Sequence, residues 1–238
     1  MTKPVGFDQK VLLHHLDFTA RHTKKYSRKE MYDLLDGYLR NDITGLKSRK
    51  NAATMLMKIW YLVDDDIVSV RDSALEMLPT LTREERIIIH WGMILVAYPF
   101  FKDVAQELGK LFRLQNVVPS VVIGKRLKEA YGDRRRVEVA TSAVLTSIKS
   151  WGLIMPSKNR SYELINPIYI TNPHIQAFIV QILLHVFKDT PLQMDIIQNH
   201  ILYFPFNYDF NLIELRQYEN LVFHRQGLNT LIVEHNIS

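Results

Sequence analysis

Apolar residues recur along most of this chain at the three-and-four spacing that marks one face of a helix. Met31, Leu34, Leu35, Tyr38 and Leu39 follow Ser27-Arg28-Lys29-Glu30, which has the S-x-x-E form of a capping box, so a helix is predicted over 28–40. Ala52, Met55, Leu56, Ile59, Trp60 and Val63 mark a second over 48–63. Asp64-Asp65-Asp66 then precede a helix over 67–78, where carboxylates suit the positive end of the dipole. A calcium loop would need alternating ligands and a glycine, and this triplet has neither. Thr82-Arg83-Glu84-Glu85 is a second capping box and opens an apolar helix running to Tyr98. Pro99 kinks or divides it, and the helical period continues from Phe100 to Leu114. His90 and Trp91 fall inside this block and read as packed residues.

Between 118 and 165 the pattern changes. Val122, Ile123, Leu127 and Tyr131 share a stripe after Pro119, which predicts a short helix over 120–131. Gly132-Asp133 is a turn. Val137, Thr141, Val144, Ile148 and Trp151 then repeat at four and three, giving a helix over 134–151 with that face inward. Its opposite face holds Arg135, Glu138, Ser142, Thr146 and Lys149. Gly152 suits a left-handed helix end. Leu153-Ile154-Met155 predicts a strand, Pro156 to Arg160 a polar turn, and Tyr162 and Leu164 a return strand. Helix, tight turn, longer helix and basic-tipped hairpin is the order of a winged helix-turn-helix, with 100–115 as the first helix of its core. The fold class expected is therefore mainly α: a helical bundle with an embedded winged helix-turn-helix and a small β-hairpin wing. Three segments are expected: an N-terminal helical domain over 1–98, the winged segment over 99–168, and a C-terminal helical region over 169–238 packing on the rest. That last region includes helices over 173–187 and 191–203. It also includes the aromatic connector Phe204-Pro205-Phe206-Asn207-Tyr208-Asp209-Phe210, which either packs over the core or, if exposed, offers a partner site.

Charge sharpens this picture because it is segregated. Residues 110–160 carry eleven Lys/Arg against three Asp/Glu, and 1–60 carry twelve against six. Residues 61–109 and 161–238 are acidic, with four against nine and three against seven. A basic face points to a polyanion, although basic and acidic segments can also pair with one another inside a fold. Lys125, Arg134, Arg135, Arg136, Ser142, Thr146, Lys149, Lys158 and Arg160 are the candidate DNA-binding residues. The cations would neutralise phosphates, and the short Ser142 and Thr146 would let a helix approach base edges.

Other chemistry is thin. Cysteine is absent, which removes disulfides, zinc fingers and a cysteine nucleophile. No Gly-rich phosphate loop, G-x-S-x-G or H-E-x-x-H occurs. His14 and Asp17 share a helical face and form the one base–orienter candidate, set against a plain surface histidine pair. No catalytic residue, metal or cofactor is expected. The apolar stretches Ile87–Phe101 and Ile175–Phe187 are shorter than the ~20 residues that span a bilayer, and the start MTKPVGFDQK lacks a signal-peptide core. A soluble, cytoplasmic protein is expected.

The run from Thr82 to Arg113, the Tyr131-Gly132-Asp133-Arg134 turn and the Ser150-Trp151-Gly152-Leu153 ending resemble a bacterial family of small helical, winged-helix proteins. These are encoded in phage-defence gene clusters of the BREX type and are BrxA-like in size and organisation. Phe223-His224-Arg225-Gln226-Gly227-Leu228 resembles the same family's C-terminal end. The resemblance implies a non-enzymatic subunit of an anti-phage or regulatory system and brings no catalytic residues. Double-stranded DNA is the expected partner. Other subunits of a defence complex and a second copy of the chain are further candidates, and no membrane is expected. The alternative is a scaffold subunit whose winged helix docks a protein.

Overall fold

Capping boxes and prolines set the helix boundaries in the first half of the computed structural model, which describes residues 3–165, 167–227 and 230–236. Leu228 of the C-terminal stretch quoted above lies outside the described residues. Helices α1 (Leu13–His22), α2 (Arg28–Leu39), α3 (Leu46–Trp60), α4 (Val68–Met77), α5 (Arg83–Ala97) and α6 (Pro99–Leu114) come first. Ser27 and Thr82 cap α2 and α5 as the motif requires, each accepting from the N3 amide while Glu30 or Glu85 reaches back. Pro99 divides α5 from α6, with Tyr98 extended between them. The aspartate triplet gives no side-chain cap. Asp65–Ile67 forms a 3-10 turn before α4, and Asp66 lies 3.5 Å from His185 instead.

Strand β1 (Val117–Pro119), α7 (Ser120–Tyr131), α8 (Arg135–Ser150), β2 (Ile154–Ser157) and β3 (Ser161–Leu164) follow. β3 lies between β1 and β2 in a three-stranded antiparallel sheet, with Tyr162 opposite both Val118 and Pro156. Gly132 at φ 87° and Gly152 at φ 83° end α7 and α8 in the left-handed region, where a Cβ would be strained. Pro156 and Ser157 extend β2 rather than starting the turn, which is confined to Lys158–Arg160.

The C-terminal third differs from the expected helical region. It holds β4 (Ile168–Ile170), α9 (Pro173–Val186), β5 (Leu192–Gln193), α10 (Met194–Ile197), β6 (Phe206–Tyr208), α11 (Leu212–Leu215), β7 (Leu221–Gln226) and β8 (Thr230–His235). No helix spans 191–203. Leu192 and Gln193 pair with β8, and the Tyr208 hydroxyl intrudes after α10, donating to the Ile197 carbonyl and accepting from the His200 amide, both at 3.0 Å. Those bonds replace the ones a continuous helix would have made. β8 is the middle strand between β5 and β7, and β4 pairs in parallel with β6.

Two helices are buried on every side over most of their length, and they lie at the centre. Ile87 through Leu95 of α5 and Ile175 through Leu184 of α9 are all buried. They touch because of Gly92: a Cβ there would stand 2.5 Å from the Phe178 ring. One contiguous cluster of buried apolar side chains runs from Val5 to Val233 and includes residues of all three sequence segments. The connector 204–210 packs over it, with Phe206 and Tyr208 buried and Phe204 stacked on Phe112 at 5.1 Å. No helix among the described residues is long and apolar enough to cross a membrane.

Gly109 of α6 meets backbone rather than a movable side chain, since its Cβ would lie 2.6 Å from the Ile201 carbonyl oxygen. Gly109→Ala is therefore expected to lower the unfolding free energy by about 1–3 kcal/mol. Urea denaturation measures this, and an unchanged midpoint would contradict the packing described.

Candidate nucleic-acid interface

α8 is fixed from behind. Trp151, at its C-cap, is buried against Trp91 and Phe101, and its indole N–H donates to the Val11 carbonyl at 3.0 Å. The Val11 amide donates to Ser147 Oγ at 2.9 Å. One residue of the N-terminal segment is thus bonded through both its amide and its carbonyl to the inner side of α8. Arg83 adds a third tie, donating to the Trp151 carbonyl at 3.1 Å.

The outward stripe of α8 is correspondingly narrow. Arg135, Arg136, Glu138, Val139, Ser142, Lys149 and Ser150 are exposed, and Thr146 is half-buried. Arg135, Ser142, Thr146 and Lys149 therefore share a face as expected. Val139 at its centre had no sequence signal, although it stands four residues after Arg135. Beside the stripe runs a cleft of about 800 Å3 between α7 and α8, lined by Gly124, Lys125, Lys128, Ser142 and Leu145, with Tyr162 of β3 at one side.

Much of the positive charge is already spoken for. Lys110 and Arg126 both reach Glu107. Lys128 lies 2.9 Å from Asp133 and 2.6 Å from Glu138, and Arg135 lies 3.2 Å from the same Glu138. The hydrogen bond from Lys128 holds the Glu138 carboxyl below its ordinary range, helped by the charges of Lys128 and Arg135. Arg113 donates to the Asn199 carbonyl. Arg134 is the clearest departure from expectation. Its Nη2 donates to the Tyr131 carbonyl at 2.9 Å and the Lys3 carbonyl at 3.0 Å, so it fastens the N-terminal segment to the end of α7 and does not face solvent as a free cation. Lys125, Arg136, Lys149, Lys158 and Arg160 are exposed and carry no ion pair among the described residues. Asn159 and Arg160 take positive φ, at 57° and 54°, which turns the hairpin tip tightly and sends Lys158 and Arg160 outward.

The histidine candidates have other work. Asp17 does not meet His14. It accepts from His90 Nε2 at 3.0 Å and lies 3.2 Å from Arg86, which ties α1 to α5 through a buried pair. Burial would raise the Asp17 carboxyl, but His90 and Arg86 hold it low. His14, His15 and Asp42 bring three donor atoms within 4.8 Å of one another. His15 Nδ1, however, accepts the Leu12 amide at 3.2 Å, which leaves its proton on Nε2, donating to Asp42 at 3.0 Å. A metal-bound neutral histidine carries its proton on the other nitrogen, and here that nitrogen already receives one. His15 is a helix-capping residue, and His14 pairs with the Tyr38 hydroxyl at 2.9 Å.

Comparison with protein-family models, with curated proteins and with solved structures finds no match to this chain.

Burial holds His15 and His90 below the usual histidine range, with Asp42 and Asp17 only partly offsetting it. The unfolded chain therefore takes up more protons as pH falls below about 6.5, so the stability these neutral rings contribute is present above that value and lost beneath it. His200, held down at about 4, and His235 are lowered by burial as well, so unfolding free energy is expected to be nearly level from pH 8 to 7 and then to fall by up to about 1.4 kcal/mol per pH unit for each of the four rings. His90→Gln should flatten the profile by one such share. Denaturant titrations from pH 8 to 5 measure it, and a level wild-type profile would contradict the assignment.

Proposed function

We propose that this chain binds double-stranded DNA without catalysing a reaction, and that α6 through β3 do so as a winged helix-turn-helix. Support comes from the order α6, β1, α7, α8, β2, β3, with β3 between β1 and β2. In such a module α8 lies in the major groove and the hairpin tip rests on the backbone. The observation that carries the reading is the outward stripe of α8. Arg135, Arg136 and Lys149 stand at its two ends, and small or short side chains, Val139, Ser142 and Thr146, lie between them. Ends of that kind neutralise phosphates, and a low centre lets the helix reach base edges. Lys125 on α7 and Lys158 and Arg160 at the hairpin tip extend the cationic frame. A place among the subunits of a bacterial anti-phage or regulatory system rests on the sequence resemblance alone.

A second reading has its own observation. Leu114, Val117, Val121, Met155 and Leu164 are all exposed around the same module, with Leu114 and Val121 at 78% and 74%. Val117 and Met155 both lie opposite Glu163 and so share one sheet face. Exposed apolar side chains gathered in one region suit a protein partner. A gel-shift titration against salt separates the two readings, since only DNA binding gives a retarded band that weakens steeply as salt rises.

Arg135→Ala with Lys149→Ala is expected to weaken binding by at least about tenfold. Equal affinity in that variant would remove α8 from the interface. Glu138→Gln tests the same face in the opposite direction. It releases Lys128 and Arg135 from their shared carboxylate, so affinity should rise by roughly threefold or more. A fall in affinity would show instead that Glu138 itself contacts the partner.

A further inference from the structure

The end of α1, the turn after it and the start of α2 read Arg21-His22-Thr23-Lys24-Lys25-Tyr26-Ser27-Arg28-Lys29 and contain no acidic residue. Arg21, Lys24, Lys25, Arg28 and Lys29 are all exposed. Lys24 is held by Asp72 at 2.8 Å, while the other four carry no ion pair among the described residues. The segment is also held in shape. Thr23 Oγ1 donates to the Thr19 carbonyl at 2.9 Å, His22 Nδ1 bonds the Phe18 carbonyl at 2.7 Å, and Ser27 with Glu30 caps α2. The Tyr61 hydroxyl donates to the Tyr26 carbonyl at 3.2 Å. The backbone that carries the four cations is already fixed, so only their side chains need be ordered when they meet an anion, which favours a binding surface over a merely solvated loop.

Its position joins it to α8. Arg21, Lys24 and Lys25 form one wall of a cleft of about 750 Å3, and Leu75, Glu76, Leu78 and Pro79 form the other. Four residues after Pro79 comes Arg83, whose guanidinium donates to the Trp151 carbonyl at the end of α8, two residues past Lys149. Chain length alone limits Pro79 and Arg83 to about 14 Å apart, less than half of the ~34 Å helical repeat of DNA. The far wall of that cleft and the end of α8 are thus linked through Arg83 over a span shorter than one helical repeat of DNA.

We propose that the α1–α2 turn is a second phosphate-contacting surface, through which Arg21, Lys25, Arg28 and Lys29 hold the backbone of the duplex flanking the α8 site. This rests on the DNA-binding reading above. A duplex is favoured over an anionic membrane because the only large apolar side chain exposed on the turn is Tyr26, so nothing there would insert among lipids.

The test is fluorescence anisotropy with a labelled random-sequence duplex of roughly four helical turns, followed over a potassium chloride series. The variant is Arg21→Ala, Lys25→Ala, Arg28→Ala and Lys29→Ala together. Its affinity should fall at least about tenfold, and its log–log salt slope should shallow by about 2–4, at ~0.9 per lost phosphate contact. Arg21→Lys with Arg28→Lys keeps the charge and should retain both values, which separates loss of contact from loss of fold. Unchanged affinity and slope in the fourfold variant, with the wild type still binding, would overturn this proposal alone. Absence of binding by the wild type would overturn the DNA reading and this proposal with it. Wild-type binding to phosphatidylserine-containing vesicles, abolished in the fourfold variant whose duplex affinity is unchanged, would assign the turn to a membrane and overturn it as well.

Discussion

The close meeting of α5 and α9 is the constraint on which the rest of the molecule depends. A stretch of helix that is apolar on nearly all sides has no solvent face, so it must be surrounded, and two such stretches are most economically surrounded together. Gly92 lets them approach until the Phe178 ring occupies the space a side chain would have filled. α1, α3 and α6 lay residues against α5, and α4 against α9. α1 is tied to α5 through Asp17, His90 and Arg86, and Trp91 of α5 donates to the Leu202 carbonyl at 2.7 Å, holding the C-terminal turns against the same pillar.

The proposed interface inherits its rigidity from that pillar. Trp91, Phe101 and Trp151 pass the contact from α5 and α6 to the end of α8, and Val11 closes over the back. The outward stripe of α8 is narrow because so much of the helix circumference is used for attachment. Its freely available positive charge is lower than its count of cations implies, because Glu138 is shared by an arginine on its own helix and a lysine on α7.

What was legible in the sequence was local. Ser27 and Thr82 capped the helices they precede because a capping box needs only four consecutive residues. The inward stripe of α8 followed from spacing alone, and Gly152 from the handedness of a helix end. What was not legible depended on partners far along the chain. β1 is three residues long, too short for alternation to show, and exists because it pairs with β3 more than forty residues later. Arg134 looked like its neighbours Arg135 and Arg136 until the Lys3 carbonyl, at the other end of the sequence, claimed it. The 191–203 stretch has helical spacing, but β8 and the Tyr208 hydroxyl take the backbone groups a helix would have used. Asp17 shares a helix with His14, yet its partner stands on α5.

The two hydrogen bonds between Val11 and the back of α8 have a consequence for how a duplex would be read on the proposed function. The bonds of Ser147, Trp151 and Arg83 all lie at the C-terminal end of α8, so a shift of that end along its axis breaks them, while the buried Val137, Ala140, Thr141 and Val144 hold the rest of the helix by packing. On the proposed DNA-binding reading, the adjustment would fall to the DNA. Sequences that bend or widen at low energetic cost would be preferred at positions where no side chain touches a base, so part of the selectivity would reside in the stiffness of the nucleic acid itself.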